Sequence, residues 1–416
     1  MKNVYDIRFE KNLVYIFPVD SLRTTGITQN MIHEKAAVIL YLFYIDTLPN
    51  YYGYIDGIPD SIDVYIISSK AEVLETVQSC MEQLRRGHIR YILKENTGRD
   101  VSALLVAASE IVKKYQYICF VHDKKAHDIK LKDATSLWIE NLWENLLGSE
   151  SYIDNILRRF EENDRLGILA PPDPIGDHFA AWYGFGWYGS FSITKKIAEE
   201  LELRADLTEN RPPITLGTAL WFRKEALSKL FDRRWTYDDF NDEGLMSEKY
   251  LSYGIERIFA YVAQDAGYDT GTVMTSSYAE RQTNYLQYST SKIFSEIRHF
   301  FPFYTVDMIE EYRKSTRKMI EFARKNPCFY LYGAGTLGRF CHYVLREENL
   351  LPAGYLVSEE AKREISEGVP VFSIEKVRVG SDMGVIVTVF EKSAREEIKR
   401  ILKKKKIVNY IEFWEE

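Results

Sequence analysis

The stretch RYILKENTGRDVSALLVAASEIVKKYQYICFVHDKKA, residues 90–126, decides the fold of this chain. A short apolar strand at 91–93 runs into a polar turn at 96–100, and a helix with apolar residues at helical spacing follows. A second strand at 117–121 then ends abruptly in the charged run His-Asp-Lys-Lys at 122–125. This strand–helix–strand unit places polar groups at the carboxyl ends of both strands, where ligands bind in open parallel sheets.

Outside this stretch the chain also alternates strands with helices, which favours a parallel sheet covered on both faces. We therefore predict an α/β fold, with a mainly parallel sheet flanked by helices at 36–295 and an N-terminal extension at 1–35. A helical linker at 296–326 leads to a small Rossmann-like α/β domain at 327–416.

Composition excludes several classes of protein. The net charge of −7 and the pI near 5.7 argue against a general nucleic-acid binder, which would carry a basic face. The four cysteines are scattered, so neither a zinc site nor a disulfide framework is expected, and a reducing cytoplasm fits best. The N-terminus lacks the features of a signal peptide, and no apolar run is long enough to cross a bilayer.

The residues that close the second strand are the first candidates for a binding site. Asp123 can hold a divalent ion such as Mg²⁺ or Mn²⁺, because hard cations prefer carboxylate oxygens. Lys124 can instead neutralise a diphosphate directly, and His122 belongs to the same group. The alternative is that these residues form an ordinary polar strand end. Their position favours binding, because ligands of open α/β sheets bind at the carboxyl ends of strands.

The polar turn before the helix has two compatible interpretations. Asp100 or Thr97 can cap the helix. The same turn can also bind donor phosphate, since Gly98 permits close approach and a helix N-terminus favours negative charge. In that case Arg99 contacts phosphate, Asp100 orients Arg99 or Lys124, and Asn96 completes the donor side.

A transfer to a hydroxyl group needs a base, and the acids near residue 240 are the candidates. Asp239 and Glu256 are carboxylates that could take a hydroxyl proton, and Arg257 could orient the acid or steady a leaving phosphate. Glu256 and Arg257 are predicted to begin a helix. The alternatives are that Asp239 only forms a turn and that Glu256 is a solvated first-turn acid.

Aromatic side chains are abundant, and three tryptophans could stack on a sugar: Trp182, Trp187 and Trp221. For any one of them, core packing is the more common role. Trp182 and Trp187 belong to a Gly- and aromatic-rich segment at 178–192 that is predicted to be a loop over the site.

The C-terminal domain carries Gly333, Gly335 and Gly338 in a G-x-G-x-x-G pattern between a strand and a helix. This context fits a dinucleotide fingerprint. However, Ser358 occupies the end of the second strand, where dinucleotide-binding domains carry an acid that hydrogen-bonds the ribose. The domain also lacks a second mononucleotide half. We predict an accessory domain with a weak nucleotide or sugar-phosphate site.

Motifs spread over residues 36–290 resemble the rhamnan synthesis protein F family. In order they are NTGRD at 96–100, YICFVHDKKA at 117–126, WIENLWENLLGS at 138–149, LGILAPP at 166–172, LWFR at 220–223, DDF at 238–240 with Asp242 and Glu243, and IER at 255–257.

The resemblance implies a GT-A-like glycosyltransferase, similar to family 2, that builds bacterial cell-wall, capsule or O-antigen polysaccharide. It also implies dTDP-rhamnose as the donor and inversion at the sugar. Relatives of this fold usually carry Asp-x-Asp where this chain has His122, Asp123 and Lys124, so metal dependence stays open.

The expected partners are a nucleotide-sugar donor and a glycan or lipid-linked acceptor, in the cytoplasm and at the inner face of the membrane. The run Lys403 to Lys406 is a solvated helix end or, alternatively, a membrane contact. Three other functions stay open: a transferase for another nucleotide sugar such as a UDP-hexose, a nucleotide-sugar oxidoreductase or epimerase, and a non-catalytic scaffold for glycan assembly.

Overall fold

The computed structural model describes residues 12–20, 31–83, 89–125, 132–174, 187, 189–205, 207–209, 215, 217–240, 251–300, 307–359, 365–366, 368–377 and 383–414. The chain divides into two compact units, Met1–Leu286 and Gln287–Glu416. In the described part of the chain, no helix combines the length and the apolar character needed to cross a membrane.

The first unit is built on one eight-stranded sheet. Its strands are β1 (Asn12–Phe17), β2 (Ala36–Tyr41), β3 (Asp63–Ser68), β4 (Ile89–Leu93), β5 (Tyr117–His122), β6 (Leu166–Ala170), β7 (Leu220–Arg223) and β8 (Asp269–Thr275). Their order across the sheet is β1-β8-β6-β7-β5-β2-β3-β4, and β7 runs antiparallel to both of its neighbours. All other pairings are parallel, which confirms the predicted fold class.

Helices cover both faces of this sheet. They are α1 (Tyr52–Asp56), α2 (Ala71–Gln83), α3 (Arg99–Ser102), α4 (Ser109–Val112), α5 (Lys132–Leu147), α6 (Glu150–Glu162), α7 (Phe191–Glu200), α8 (Ser228–Asp232), α9 (Leu251–Asp265) and α10 (Ser276–Phe300). A π-helical turn, Ala103–Ala107, joins α3 to α4, so that the predicted helix is continuous but locally widened.

The central strands are buried on both faces because helices pack on each side. Every residue of β2 and of β5 is buried. Alternate residues enter different cores: Ile39 and Phe120 pack on one face of the sheet, whereas Val38 and Cys119 pack on the other. Near-continuous apolar sequence is typical of such strands.

One edge of the sheet contains two strands that the sequence pattern did not reveal. Residues 12–17 of the predicted N-terminal extension form β1, which pairs in parallel with β8 at this edge. The partner strand, DTGTVMT, is rich in Thr and Gly, so its apolar signal is weak although six of its residues are buried.

The second unit holds a smaller sheet of six strands. They are β9 (Phe329–Tyr332), β10 (Gly354–Val357), β11 (Ile365–Ser366), β12 (Val369–Ser373), β13 (Gly384–Val387) and β14 (Tyr410–Glu412). Their order is β11-β12-β10-β9-β13-β14, and only the short β11 pairs antiparallel in the described sheet. The helices are α11 (Asp307–Lys325), α12 (Thr336–Glu347) and α13 (Lys392–Lys404).

The boundary between the two compact units lies before the predicted linker, and the amphipathic helix α11 packs into the core of the second unit. The first unit ends at Leu286, within α10, rather than at residue 295. Helix α11 lies in the predicted linker, yet Tyr312, Met319 and Ala323 are buried in the core of the second unit. A helix with such an apolar face is stabilised by packing rather than left as a connector.

Arg223 anchors the antiparallel strand. It is 6% exposed, and its guanidinium donates hydrogen bonds to the carbonyl oxygens of Leu166 (3.1 Å) and Phe160 (2.7 Å). The same group lies over the ring of Tyr117 at 5.2 Å. The last residue of the LWFR motif therefore joins three elements of the sheet and its helix layer.

We expect Arg223→Met to lower the free energy of unfolding of the first unit by about 3 kcal/mol, because buried carbonyl groups lose charged donors. Urea unfolding followed by tryptophan fluorescence measures this change. The control is Lys224→Met, since the Lys224 side chain is 36% exposed and its loss should change stability by less than about 0.5 kcal/mol. Equal effects for both variants would contradict the anchoring role.

Candidate functional site

The candidate site lies at the carboxyl edge of β2, β3, β4 and β5. These four strands are parallel neighbours, so the residues that follow them meet at one edge of the sheet. The turn at 96–100 and the start of α3 lie at the same edge, because they directly follow β4.

Asp123 is held by the backbone rather than presented to solvent. The residue is 5% exposed, and Oδ2 accepts hydrogen bonds from the amide groups of Phe43 (2.7 Å) and Tyr44 (2.8 Å). Its own amide donates to the carbonyl of Tyr41 at 3.0 Å. Asp123 therefore fixes the path of the chain after β2, and one of its two oxygens is already occupied.

Burial raises the pKa of Asp123 to about 6, although the two backbone hydrogen bonds and the neighbouring His122 oppose this shift. The negative charge of Asp100 adds to the increase. A carboxyl group with this pKa changes its charge just below neutral pH, so the order of the 43–44 segment is linked to pH.

His122 and Asp100 form a buried polar pair beside Asp123. The distance from His122 Nε2 to Asp100 Oδ2 is 3.7 Å, and His122 Nδ1 lies 2.8 Å from the carbonyl oxygen of Asp123. Burial alone would raise the pKa of Asp100, but the charges of His122 and Lys124 hold it below its usual value. Asp100 is thus an anion at neutral pH, close to the ammonium group of Lys124.

Lys124 connects the two groups of residues that the sequence singled out. Burial lowers its pKa, and the nearby carboxylates of Glu256 and Asp100 favour its charged form. The ammonium group also lies over the ring of Trp138, 3.6 Å from the centroid. The structure therefore brings the end of β5, the start of α3 and helix α9 to one site.

Glu256 and Arg257 lie in the second turn of α9, which begins at Leu251 rather than at Glu256 as predicted. Arg257 Nη1 donates to Glu256 Oε2 at 2.8 Å, and the two side chains are 10% and 19% exposed. Thr215 contributes a hydroxyl that donates to the Glu256 carbonyl at 3.4 Å. The carboxylate is thus oriented by its neighbour and still reached by solvent.

Arg99 is exposed and reaches the same helix. Its Nη1 donates to the hydroxyl of Tyr253 at 3.4 Å, and its guanidinium lies 5.8 Å from that ring's centroid. Arg99 has a positive φ of 49° directly after Gly98 at 69°, so two successive residues are left-handed. Asn96 is exposed in this turn, and its Oδ1 accepts a bond from Ser69.

Lys94 is a residue of the site that the sequence interpretation did not include. It is 6% exposed, and Nζ donates to the carbonyl oxygens of Glu95 (2.7 Å) and Thr97 (3.0 Å). Burial lowers its pKa to about 8, against the opposing effect of Asp100. Lys94 immediately follows β4, so the rule that pointed to Lys124 points equally to this position.

Asp239 has a local structural role. Oδ2 accepts from the amide (2.8 Å) and hydroxyl (3.0 Å) of Thr236, and Oδ1 accepts from Arg233 at 3.1 Å. Although burial opposes the change, these bonds lower the pKa of Asp239. Both oxygens are therefore engaged in shaping the turn that leads to Phe240, as the alternative interpretation had it.

Gly98 packs directly against that turn. A Cβ atom added to Gly98 would lie 2.6 Å from Cγ of Phe240, so only glycine fits here, and φ is positive as well. The contact joins the polar turn after β4 to the 3₁₀ turn Tyr237–Phe240.

Two of the three tryptophans proposed for sugar stacking are buried in the core. Trp221 is fully buried and donates to the carbonyl of Leu146, so it is a core residue. Trp187 is 7% exposed and stacks on Tyr261 with the ring centroids 6.0 Å apart, which also indicates packing. Trp182 lies outside the described residues.

Trp138, which the sequence analysis did not propose as a sugar-stacking residue, contacts a residue of the candidate site. The Lys124 ammonium group lies over the Trp138 ring, and Trp138 also lines a small pocket. Pro171, Pro172 and Ala219 form the opposite walls of this pocket at the ends of β6 and β7.

The glycine pattern of the second unit is explained largely by packing. Gly333 has φ +121°, and an added Cβ would lie 2.8 Å from the Thr388 carbonyl. An added Cβ at Gly338 would lie 1.9 Å from the Gly333 carbonyl, so this glycine lets α12 approach β9. Gly335 alone faces open space, and Ser358 donates or accepts only with Tyr332 in the described residues.

Comparison with known proteins gives a family and distant relatives. The profile of "RgpF: Rhamnan synthesis protein F" matches residues 1–268, more than half of the chain. "Uncharacterized protein WxcX" from two strains of Xanthomonas campestris pv. campestris is 24% identical over 261 residues, which are 60% of this chain and 34% of the relative. The chain thus spans about a third of the length of these curated relatives.

Among solved structures, the chain is similar to the mannosyltransferase PcManGT from Pyrobaculum calidifontis in complex with GDP-Man and Mn²⁺. The identity is 10% and the TM-score is 0.30, over 70% of this chain and 63% of that chain.

We expect the stability of the protein to depend on Asp123 in a defined pH window. Its folded pKa of about 6 lies above the unfolded value, so the folded state binds the proton more tightly. The unfolding free energy should therefore rise by about 1 kcal/mol as pH falls from about 7 to 5. Asp123→Asn keeps an acceptor for both amides but cannot titrate, so its unfolding free energy, measured by urea titration, should not show this rise at low pH. The same pH dependence in Asp123→Asn and in the unsubstituted protein would contradict the prediction.

Proposed function

Because the chain belongs to the rhamnan synthesis protein F family, we propose that it is a glycosyltransferase. It transfers a sugar, L-rhamnose in our proposal, from a nucleoside diphosphate such as dTDP to a growing cell-surface polysaccharide. The single observation that carries the proposal is the meeting of Lys124 with Asp100 and Glu256 at the carboxyl edge of a mainly parallel sheet. Cations for a diphosphate and a carboxylate for an acceptor hydroxyl thus lie in one cluster.

The donor's diphosphate is bound by cations in this proposal. Lys124 is half-buried next to Asp100 and Glu256, and Arg99 is exposed at the neighbouring turn. When a diphosphate enters, its negative charge replaces these carboxylates as the partner of the ammonium group. Because the surroundings exclude much of the water, the attraction is stronger than it would be at an open surface.

Glu256 is the base that we favour over Asp239. Its carboxylate is partly exposed and is oriented by Arg257, whereas both oxygens of Asp239 are used within its own turn. Glu256 takes the proton of the acceptor hydroxyl while the oxygen attacks the anomeric carbon, and the bond to the diphosphate breaks on the opposite face. The result is an inverted linkage, with the leaving charge neutralised by Lys124 and Arg257.

Asp123, His122 and Lys94 act as positioning residues. Asp123 orders the 43–44 segment, Lys94 holds the carbonyl groups of the turn before α3, and His122 keeps Asp100 in place. None of these roles requires direct contact with the sugar. Asn96 lies in the turn that Lys94 orders and completes the donor side.

A divalent ion, Mg²⁺ or Mn²⁺, would have few protein ligands here. The described residues contain no group of three or more His, Cys, Asp or Glu side chains suited to a metal. One oxygen of Asp123 is taken by two amides, and Lys124 supplies positive charge beside it. This donor set fits a metal poorly, and in this proposal Lys124 neutralises the charge of the diphosphate.

We expect Glu256→Gln to lower the transfer rate by roughly 10²–10⁴-fold without changing donor affinity, because the amide cannot accept the proton. Asp239→Asn is the matched comparison: it should retain transfer and instead lower the melting temperature, since it weakens the bonds to Thr236 and Arg233. Transfer of radiolabelled sugar to isolated glycan measures the rate of each variant, and thermal unfolding measures the melting temperature. Loss of transfer in Asp239→Asn alone would reverse the assignment.

Donor binding can be tested without knowing the acceptor. Nucleoside diphosphates and their sugars should raise the melting temperature of the protein, because a ligand that binds only the folded state stabilises it. Lys124→Met should abolish this increase, whereas Lys125→Met should not, since Lys125 pairs with Asp46 instead. The increase should persist with EDTA in place of Mn²⁺. A thermal shift with NAD(H) and none with nucleotide sugars would favour an oxidoreductase.

A further inference from the structure

Three segments of the second unit meet at the amino edge of its sheet. Helices α11, α12 and α13 lead directly into β9, β10 and β14. These three strands and β13 between them are all parallel, so the segments that enter them lie at the same edge.

This edge is strongly basic in a chain whose net charge is −7. The segments at 324–328, 346–353 and 403–409 contain seven basic and two acidic residues. Four of the basic residues are the run Lys403 to Lys406, of which Lys403, Lys404 and Lys406 are exposed. Lys405 pairs with Glu375 at 2.7 Å, but in the described residues no ion pair joins the other three to a carboxylate.

Apolar side chains project from the same edge. Val408, two residues after the end of the lysine run, is 88% exposed, and Leu351 is 62% exposed before β10. A helix C-terminus attracts lysines by its dipole, which accounts for Lys403 and Lys404. The dipole does not account for an apolar side chain that is almost fully exposed among them. We name Lys403, Lys404, Lys406, Val408 and Leu351 the basic edge.

Hydrogen bonds fix the turn that carries the lysines and Val408 of the basic edge. The amide of Ile407 donates to the Leu402 carbonyl (2.9 Å) and that of Lys406 to Lys403 (3.1 Å), which is a Schellman ending. Ile407 is buried beneath it. Lys406 has φ +59° at the position where such turns favour glycine, so the chain keeps a lysine there despite a conformational cost.

We propose that the basic edge binds the surface of an anionic lipid bilayer. Exposed lysines are attracted to acidic headgroups, and Val408 and Leu351 insert among the headgroups beside them. A nucleic acid would use the charge but not the apolar residues, which is why a membrane fits better. Binding by the second unit does not depend on the transfer reaction proposed for the first.

Sedimentation of the full chain with vesicles tests the proposal. Vesicles that contain phosphatidylglycerol should bind the protein at low salt, and vesicles of phosphatidylcholine alone should not. Replacing Lys403, Lys404 and Lys406 by Ser should weaken binding by roughly 100-fold, because each lysine contributes about 1 kcal/mol near such a surface. The control replaces three exposed lysines of the first unit, Lys114, Lys195 and Lys196, by Ser and should bind normally.

Two single variants test the basic edge separately for its charge and for its exposed valine, and the second distinguishes a membrane from a nucleic acid. Lys406→Gly should weaken vesicle binding by roughly fivefold without lowering the melting temperature, because glycine suits the left-handed position. Val408→Ser should weaken vesicle binding and leave the affinity for RNA unchanged. The proposal is overturned by equal binding to both vesicle types, by an equal loss in the control variant, or by vesicle binding that Val408→Ser does not change.

Discussion

The buried ammonium group of Lys124 is the constraint on which the candidate site depends. A lysine can stay charged away from water only if carboxylates or aromatic faces compensate, and here Asp100, Glu256 and Trp138 do so. These partners come from α3, α9 and α5, which are far apart in sequence. The charge on Lys124 therefore depends on the positions of three helices. In the proposed function, the ammonium group is already oriented for a diphosphate before the ligand binds.

The fold was predictable where the physical signal is strong and local. Strands buried on both faces, such as β2 and β5, are continuous apolar runs, and their order with intervening helices is typical of a parallel sheet. The reversal of β7 was not predictable, since the apolar sequence of LWFR does not indicate a direction and only the pairing with β5 and β6 reveals it. The sequence analysis did not predict β8, because Thr and Gly weaken its apolar pattern. It did not predict β1 because several apolar residues of that strand are exposed to solvent.

The sequence predicted which residues gather at the carboxyl edge of the sheet, but not the contacts that each of them makes. The carboxyl-edge rule led to His122, Asp123 and Lys124, and the same rule applied to β4 would have led to Lys94. What it cannot foresee is the path of a loop. The amides of Phe43 and Tyr44 occupy Asp123, a contact across 80 and 79 positions of sequence. Asp239, by contrast, is engaged locally, because the amide of Thr236 donates to its carboxylate.

The edge pairing of β1 with β8 has a consequence for biosynthesis. Asn12 lies opposite Thr270, so β1 leaves the ribosome long before β8, the strand with which it pairs. At a usual translation rate, the nascent strand waits roughly ten seconds or more for its partner. During that interval the backbone N–H and C=O groups of β1 have no partner strand, so the nascent chain presents an unpaired strand edge that can pair with another chain.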